Sequence, residues 1–186
     1  MRIVAGEFGG RPLKSLDSNN TRPTTDKVKE SIFSALGGML EEGNVLDLYA
    51  GSGGLGIEAV SRGATTGYLI DNHQGAINVI KENVAVTKAP EKFKVIKSDA
   101  NAALKTFATQ GLKFDYVFLD PPYALQKIEE QLTFLSDNEM FENWTEIVVE
   151  TAKEVDLPEV IGAFSRYKEK KYGITKISFY EVTQND

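Results

Sequence analysis

Short apolar runs alternate with amphipathic stretches along most of the chain. Residues 44–49 (NVLDLY) are apolar around one acid, the pattern of a strand buried on both faces of a parallel sheet. Residues 66–71, 93–97, 114–119 and 146–151 repeat it. Between them lie helical patterns: one opens at about Gly54 and ends at Gly63. Another runs over 73–88 with Ile77, Ile80 and Val84 on one face. The third covers 100–110 and closes at Gly111, and the fourth spans 125–136. Upstream, residues 2–15 read as two short strands around the turn Glu7-Phe8-Gly9-Gly10. After a polar loop at 17–20, Arg22-Pro23-Thr24-Thr25 leads into a helix that ends near Leu36, with Val28, Ile32 and Phe33 on its apolar face. Gly37-Gly38 stops it. This helix precedes the first core strand and is placed to cover a crevice as a lid. Near the end, 164–171 and 174–182 flank Tyr172-Gly173 as an antiparallel hairpin. The pattern predicts an α/β fold: a doubly wound, mostly parallel, Rossmann-like sheet with an antiparallel C-terminal hairpin and a small N-terminal β-hairpin. One domain over 1–186 is expected, with 1–38 as hairpin and lid helix and 44–186 as the core.

Candidate chemistry begins at the first core strand. Gly51-Ser52-Gly53-Gly54-Leu55-Gly56 fits G-x-G-x-x-G, and Asp71 stands 20 residues after Gly51 at the end of the next strand. Glycines serve where φ is positive or where a ligand meets the main chain, and the helix start presents unpaired N–H groups. Both a nicotinamide dinucleotide and S-adenosylmethionine suit such a turn. Asp47 just before it would repel a pyrophosphate and suits a cationic centre, which favours the sulfonium and ammonium of S-adenosylmethionine. In open α/β sheets ligands collect beyond the carboxyl ends of the strands. Asp47, Asp71, Asp99 and Asp120 all fall at or near such ends.

Composition narrows the classes. Hydrophobic content of 41% and charged content of 26% are ordinary for a globular chain of 186 residues. No run of about 18 apolar residues exists and Met1 to Gly6 lacks an apolar signal core, so a cytoplasmic, membrane-free protein is expected. Zero cysteines exclude thiolate chemistry, and one histidine makes a histidine-rich metal site implausible; no metal is expected. Net charge is −6, yet residues 1–29 hold six bases against three acids and residues 165–176 five against one. Basic charge at both ends of an acidic body permits a localised phosphate-binding surface.

Asp120-Pro121-Pro122-Tyr123 follows the fourth strand. A residue before proline is held extended, and prolines donate no N–H, so the tract leaves the sheet with its carbonyls free. One carboxylate and one rigid carbonyl can accept both hydrogens of an –NH₂ group, and Tyr123 offers a face on which a base can stack. The tract does not by itself choose between adenine N6, cytosine N4 and guanine N2.

The pair Asp47-x-x-x-Gly51-x-Gly53 and Asp120-Pro121-Pro122-Tyr123 resembles the amino-directed, adenosylmethionine-dependent nucleic-acid methyltransferases. With Met1 to Gly6, Gly9-Gly10-Arg11, Arg22-Pro23-Thr24-Thr25-Asp26, Leu46 to Gly53 and Tyr172-Gly173, the chain resembles the RsmD family nearly end to end. The resemblance implies a class I methyltransferase fold and S-adenosyl-L-methionine as cofactor. It further implies N2 methylation of a guanine in 16S rRNA, presented on a small-subunit ribonucleoprotein particle. Carried over by position, Asp47, Tyr49, Ala50, Gly51 and Gly53 would cradle the methionine part, Asp71 the ribose, and Asp99 with Ala100 the adenine edge. Arg22, Pro23 and Thr24 would cover the cofactor, with Asp120 bordering it, and Asp120, Pro121, Pro122 and Tyr123 would form the catalytic tract. Arg166, Lys168 and Lys170 alternate along one predicted strand, and with Arg2, Arg11 and Lys14 they are expected to grip RNA phosphates. A monomer is expected. His73 reads as part of a helix first turn and Trp144 as a packing anchor.

Overall fold

The computed structural model describes residues 1–16, 25–122 and 126–184. Arg22, Pro23, Thr24 and Tyr123 lie outside the described residues. Helix α1 (Asp26–Ala35) precedes β1 (Asn44–Asp47), α2 (Gly54–Ser61), β2 (Thr66–Asp71), α3 (Gln74–Val86), β3 (Phe93–Lys97), α4 (Ala100–Thr109) and β4 (Phe114–Leu119). Then come α5 (Ile128–Asp137), β5 (Phe141–Ala152), β6 (Val160–Ile161), β7 (Phe164–Tyr172) and β8 (Thr175–Val182). The eight strands form one sheet in the order β3-β2-β1-β4-β5-β8-β7-β6. The first five are parallel, and β8, β7 and β6 continue antiparallel.

Alternation along each strand splits the core in two. Val45, Leu69, Phe118, Val148 and Phe179 join α1, α2 and α3 on one face, where Phe33 lies 5.7 Å from Phe118. Leu46, Ile70, Val117, Val149 and Tyr180 join α4 and α5 on the other. Thr25 caps α1 through its side chain onto the Val28 N–H. His73, expected inside a first turn, is instead the N-cap of α3, its Nδ1 accepting from the Ala76 N–H.

The N-terminal hairpin expected from the sequence is present but short: Arg2 bridges Pro12, and the N–H groups of Ile3, Gly10 and Leu13 donate to the Arg11, Ile3 and Met1 carbonyls. The reason lies in α2. The N–H groups of Val4 and Ala5 donate to the two carboxylate oxygens of Glu58, at 2.8 and 3.1 Å, in place of a cross-strand ladder. Phe8 N–H donates to Ser61 Oγ and Glu7 N–H to the Ser61 carbonyl. Glu58 is fully buried and also pairs with Lys29 Nζ of α1 at 3.2 Å and Arg62 Nε at 2.8 Å. Burial lowers the Lys29 ammonium from its ordinary value, and the opposing charge of Glu58 resists that. Lys29 Nζ also donates to the Arg2 carbonyl. The helix expected to act as a lid is therefore clamped to α2 by a buried ion cluster.

Trp144 is not a packing anchor. It lies within β5 and is 64% exposed, its indole N–H donating to Asp115 Oδ1 at 2.7 Å. The cause is a register break: Phe114 pairs with Phe141 but Tyr116 with Glu146, so surplus residues of β5 bulge outward.

Replacing Glu58 with Ala leaves two buried cations and two backbone donors without their acceptor. It is expected to destabilise the chain by about 3–5 kcal/mol, read from urea unfolding midpoints. A loss below about 1 kcal/mol would show the clamp to be dispensable.

Candidate active site

Strand order reverses at β1. From it the chain steps outward to β2 and β3, then returns to place β4 on the other side. The crevice between the carboxyl ends of β1 and β4 is where a doubly wound sheet collects ligands. Asp47 pairs with Phe118, so Asp120 lies two residues beyond the partner of Asp47. The glycine turn and the Asp-Pro-Pro tract, separated by about 70 positions in sequence, thus flank one cleft.

The turn depends on its glycines. Gly51 has φ 60° and Gly53, the N-cap of α2, has φ 85°. The cap residue Gly53 has no side chain to bind α2 and the Gly56 N–H is taken by Asp47, which leaves the Gly54 and Leu55 N–H groups for a ligand. A Cβ on Gly51 would meet nothing within 4 Å, whereas one on Gly56 would fall 2.1 Å from Leu69 Cδ2. Gly51 is thus open to the crevice, and Gly56 lets α2 press against the sheet.

The acids have distinct environments. Asp47 does not project freely into the crevice. It is 2% exposed and accepts from the Gly56 N–H at 3.0 Å, fixing the helix to the strand it follows. Burial pushes its carboxyl from 3.8 up to about 7, the Gly56 hydrogen bond pulls it down, and the charge of Asp71 adds to the rise. Asp71 accepts from Gly51 N–H and His73 N–H, both at 3.0 Å, one on each oxygen. Its remaining lone pairs face outward for a hydroxyl. Asp99 is the exposed N-cap of α4, accepting from the Ala102 N–H at 3.1 Å, with buried Ala100 beside it. Asp120 is held well above the usual carboxylate range, first by burial, then by the charge and hydrogen bond of Glu150, then by the charge of Asp47. Pro121 is buried and Pro122 exposed.

Tyr49 is half-buried, and its hydroxyl accepts from Gln131 Nε2 at 2.6 Å. The same amide donates to Asn101 Oδ1 at 3.0 Å, tying the glycine turn to α4 and α5. Glu150 and Gln131 were not singled out in the sequence. The signal for Glu150 was an acid closing the apolar run Ile147-Val148-Val149, as Asp120 closes its own strand.

The basic residues divide. The stripe expected from Arg166, Lys168 and Lys170 is broken by a bulge: Arg166 pairs with Tyr180 but Lys168 with Phe179. Arg166 therefore turns to the α5 face, where it binds the Leu157 carbonyl, Glu159 and Glu169. Lys168 and Lys170 stay on the α1 face, Lys168 exposed and Lys170 beside Ser31. Arg11 is likewise committed internally, capping α3 through the Val86 and Thr87 carbonyls and stacking over Phe8. Arg2 and Lys14 form exposed pairs with Asp26 and Glu82. Among the described residues no group of acids and histidines is arranged to hold a metal ion, and no helix is long and apolar enough to cross a membrane.

A sheet of this order, a glycine turn at its reversal and an acid-proline tract across the cleft define a Rossmann-like class I methyltransferase fold. The chain belongs to the RsmD family of methyltransferases: residues 1–181 match the family model described as conserved hypothetical protein 95. It is 41% identical over 181 residues to YlbH of Bacillus subtilis, covering 97% of this chain and 98% of the relative. It is 35% identical over 181 residues to ribosomal RNA small subunit methyltransferase D of Escherichia coli, covering 97% and 89%. A solved structure of a conserved hypothetical protein from Streptococcus pyogenes superposes with TM-score 0.80 at 39% identity, covering 84% of this chain and 96% of that one.

The raised Asp47 carboxyl gives a stability contribution that is complete below its unfolded value of 3.8 and is lost as pH rises through about 7. Asp47→Asn keeps an acceptor for Gly56 and removes that loss. Relative to wild type without ligand, the variant is expected to gain stability between pH 5 and pH 8, by up to about 4 kcal/mol. Urea midpoints that stay parallel across that range would contradict the expectation.

Proposed function

We propose that this protein transfers a methyl group from S-adenosyl-L-methionine to the exocyclic N2 amine of a guanine in 16S rRNA. The observation that carries the reading is the approach of the Asp120-Pro121 tract to the glycine turn at the strand reversal. The ribosomal RNA small subunit methyltransferase D relatives supply the substrate class. We place the reaction in the cytoplasm, on a small-subunit ribonucleoprotein particle, with the protein acting as a monomer.

The residues present fit the cofactor. The Gly54 and Leu55 N–H groups at the start of α2 suit a carboxylate, the open backbone at Gly51 allows close approach, and the remaining acceptors of Asp71 suit ribose hydroxyls. Asp99 and Ala100 stand at the next strand end for the adenine edge, and Tyr49, Ala50 and Gly53 shape the turn. The crowded acids favour cations. When bound, S-adenosylmethionine supplies a methyl carbon made electrophilic by its sulfonium.

The chain's own work is on the amine. An aromatic –NH₂ is a poor nucleophile because its lone pair is delocalised into the ring. The Asp120 carboxyl and the Pro121 carbonyl accept its two hydrogens and turn the lone pair out of the ring. As nitrogen gains positive charge, the Asp120 carboxylate stabilises it in a site shielded from water. Pro122 fixes the carbonyl of Pro121, and Tyr123 supplies a stacking face. A base within a duplex is out of reach, so the guanine must be looped or flipped out.

RNA contacts are assigned to the basic residues left free. Lys168, Lys170 and Lys171 lie on β7, whose tip at Gly173 and Ile174 meets Lys153 just past the carboxyl end of β5, the same edge as the crevice. Arg2 and Lys14, held in exposed pairs with Asp26 and Glu82, join the surface only by exchanging those partners for phosphates.

Asp120→Ala is expected to lower single-turnover methyl transfer about 10²–10³-fold while RNA binding is kept. The measurement is tritium incorporation from labelled S-adenosylmethionine into small-subunit particles, with the modified nucleoside identified; full rate in the variant would remove Asp120 from the chemistry. Charge reversal at Lys168 with Lys170 is expected to flatten the salt dependence of RNA binding by roughly two units of slope. Reversal at Arg166 should leave that slope alone and lower the melting temperature. An unchanged slope in the lysine variant would mean those residues serve only to protect the sheet edge.

A further inference from the structure

The Asp-Pro-Pro tract can accept the hydrogens of any exocyclic amine, so guanine must be distinguished by something else. The neighbouring strand supplies a candidate. Leu119 pairs with Val149 in parallel register, which sets Asp120 and Glu150 side by side on one face of the sheet, where the charge of Glu150 and a hydrogen bond to it hold the Asp120 carboxyl up. Two carboxyls bond to each other only by sharing a proton. Glu150 has one oxygen for Asp120 and another to spare. It is half-buried and lines a shallow recess that also includes Pro121, Gln126 and Thr151.

We propose that Glu150 selects guanine by accepting its N1–H, beside the N2 amine held by Asp120 and the Pro121 carbonyl. This rests on the guanine-N2 reading above. The Watson–Crick edge of guanine runs donor, donor, acceptor from N2 through N1 to O6. Asp120 with the Pro121 carbonyl, and then Glu150 beside them, set acceptors against its two donors in matching order. The base's own N–H groups take the place of the proton between the two carboxyls, which is released to solvent as the base binds. Adenine and cytosine carry a bare ring nitrogen next to their amine. Its lone pair would face the Glu150 carboxylate, leaving a buried acceptor opposed to another acceptor. A site built around a donor rejects an analogue that lacks it far more strongly than a shape-matched apolar pocket does.

The test compares wild type with Glu150→Gln and Glu150→Met, using tritiated S-adenosylmethionine and small-subunit particles over a range of pH. Wild type must first yield N2-methylguanosine; a different product overturns the guanine reading itself, and this proposal with it. Given that product, Gln keeps an acceptor for N1–H and offers its amide to Asp120. It is expected to hold kcat/KM within about tenfold, with the acid limb of its pH profile moved to lower pH. Asp47, the other charge acting on Asp120, is the same in every variant. Met, of similar length with no polar atom to bond, is expected to lose about 10–100-fold in kcat/KM at an unchanged melting temperature. A Met variant as active as wild type overturns the proposal, and so does a Gln variant whose acid limb does not move. Should Met destabilise the fold, the Gln profile decides alone.

Discussion

Negative charge crowded into a low-dielectric edge of the sheet is the constraint on which this structure turns. Asp71 raises Asp47, Asp47 raises Asp120, and Glu150 does so more strongly from the next strand. Four carboxyls in one chain of influence would push each other apart if all were ionised in a dry cleft. The fold offsets part of this with backbone donors, Gly56 to Asp47 and Gly51 and His73 to Asp71. What remains uncompensated is a cleft hostile to phosphate and receptive to cations and N–H groups. That is how a glycine turn of the dinucleotide-binding pattern can serve a sulfonium in place of a pyrophosphate.

Much of this was legible in the sequence, because its signals were local. Buried parallel strands announce themselves as short apolar runs, and each such run here ends near an acid that the sheet then brings to one edge. Glycine at Gly51 and Gly53 reports a positive φ, which is a property of single residues. The remainder depended on pairing, which no local signal carries. Glu58 reads as one acid in an apolar helix, and only tertiary structure shows Lys29, Arg62 and two N-terminal amides converging on it. Glu150 gains meaning only from the β4–β5 register. Trp144, beside the start of an apolar run, reads as a packing anchor, and a register break turns it outward.

The basic residues show the same division. On composition Arg166, Lys168 and Lys170 are one stripe, since strict alternation assumes an unbroken strand. Tyr167 is the extra residue between Arg166 and Lys168, and it reverses the side on which everything before it points. Its ring packs against Phe179 and its hydroxyl donates to Glu146 at 2.7 Å, so the bulge is held in place by its own side chain. Arginine, with a planar fork of donors, went to the internal roles at positions 11, 62 and 166, where several acceptors converge. Lysines remained at the periphery, apart from Lys29 and Lys176.

The clamp at Glu58 has a consequence for the order in which the chain matures. Synthesis releases residues from the amino end, and the first 38 find neither their counter-charge nor their apolar seat until α2 has emerged. Lys29 and the amides of Val4 and Ala5 must wait, hydrated, for an acid encoded later. This segment thus leaves the ribosome before the acid it docks on, and cannot close over α2 until that helix has been made.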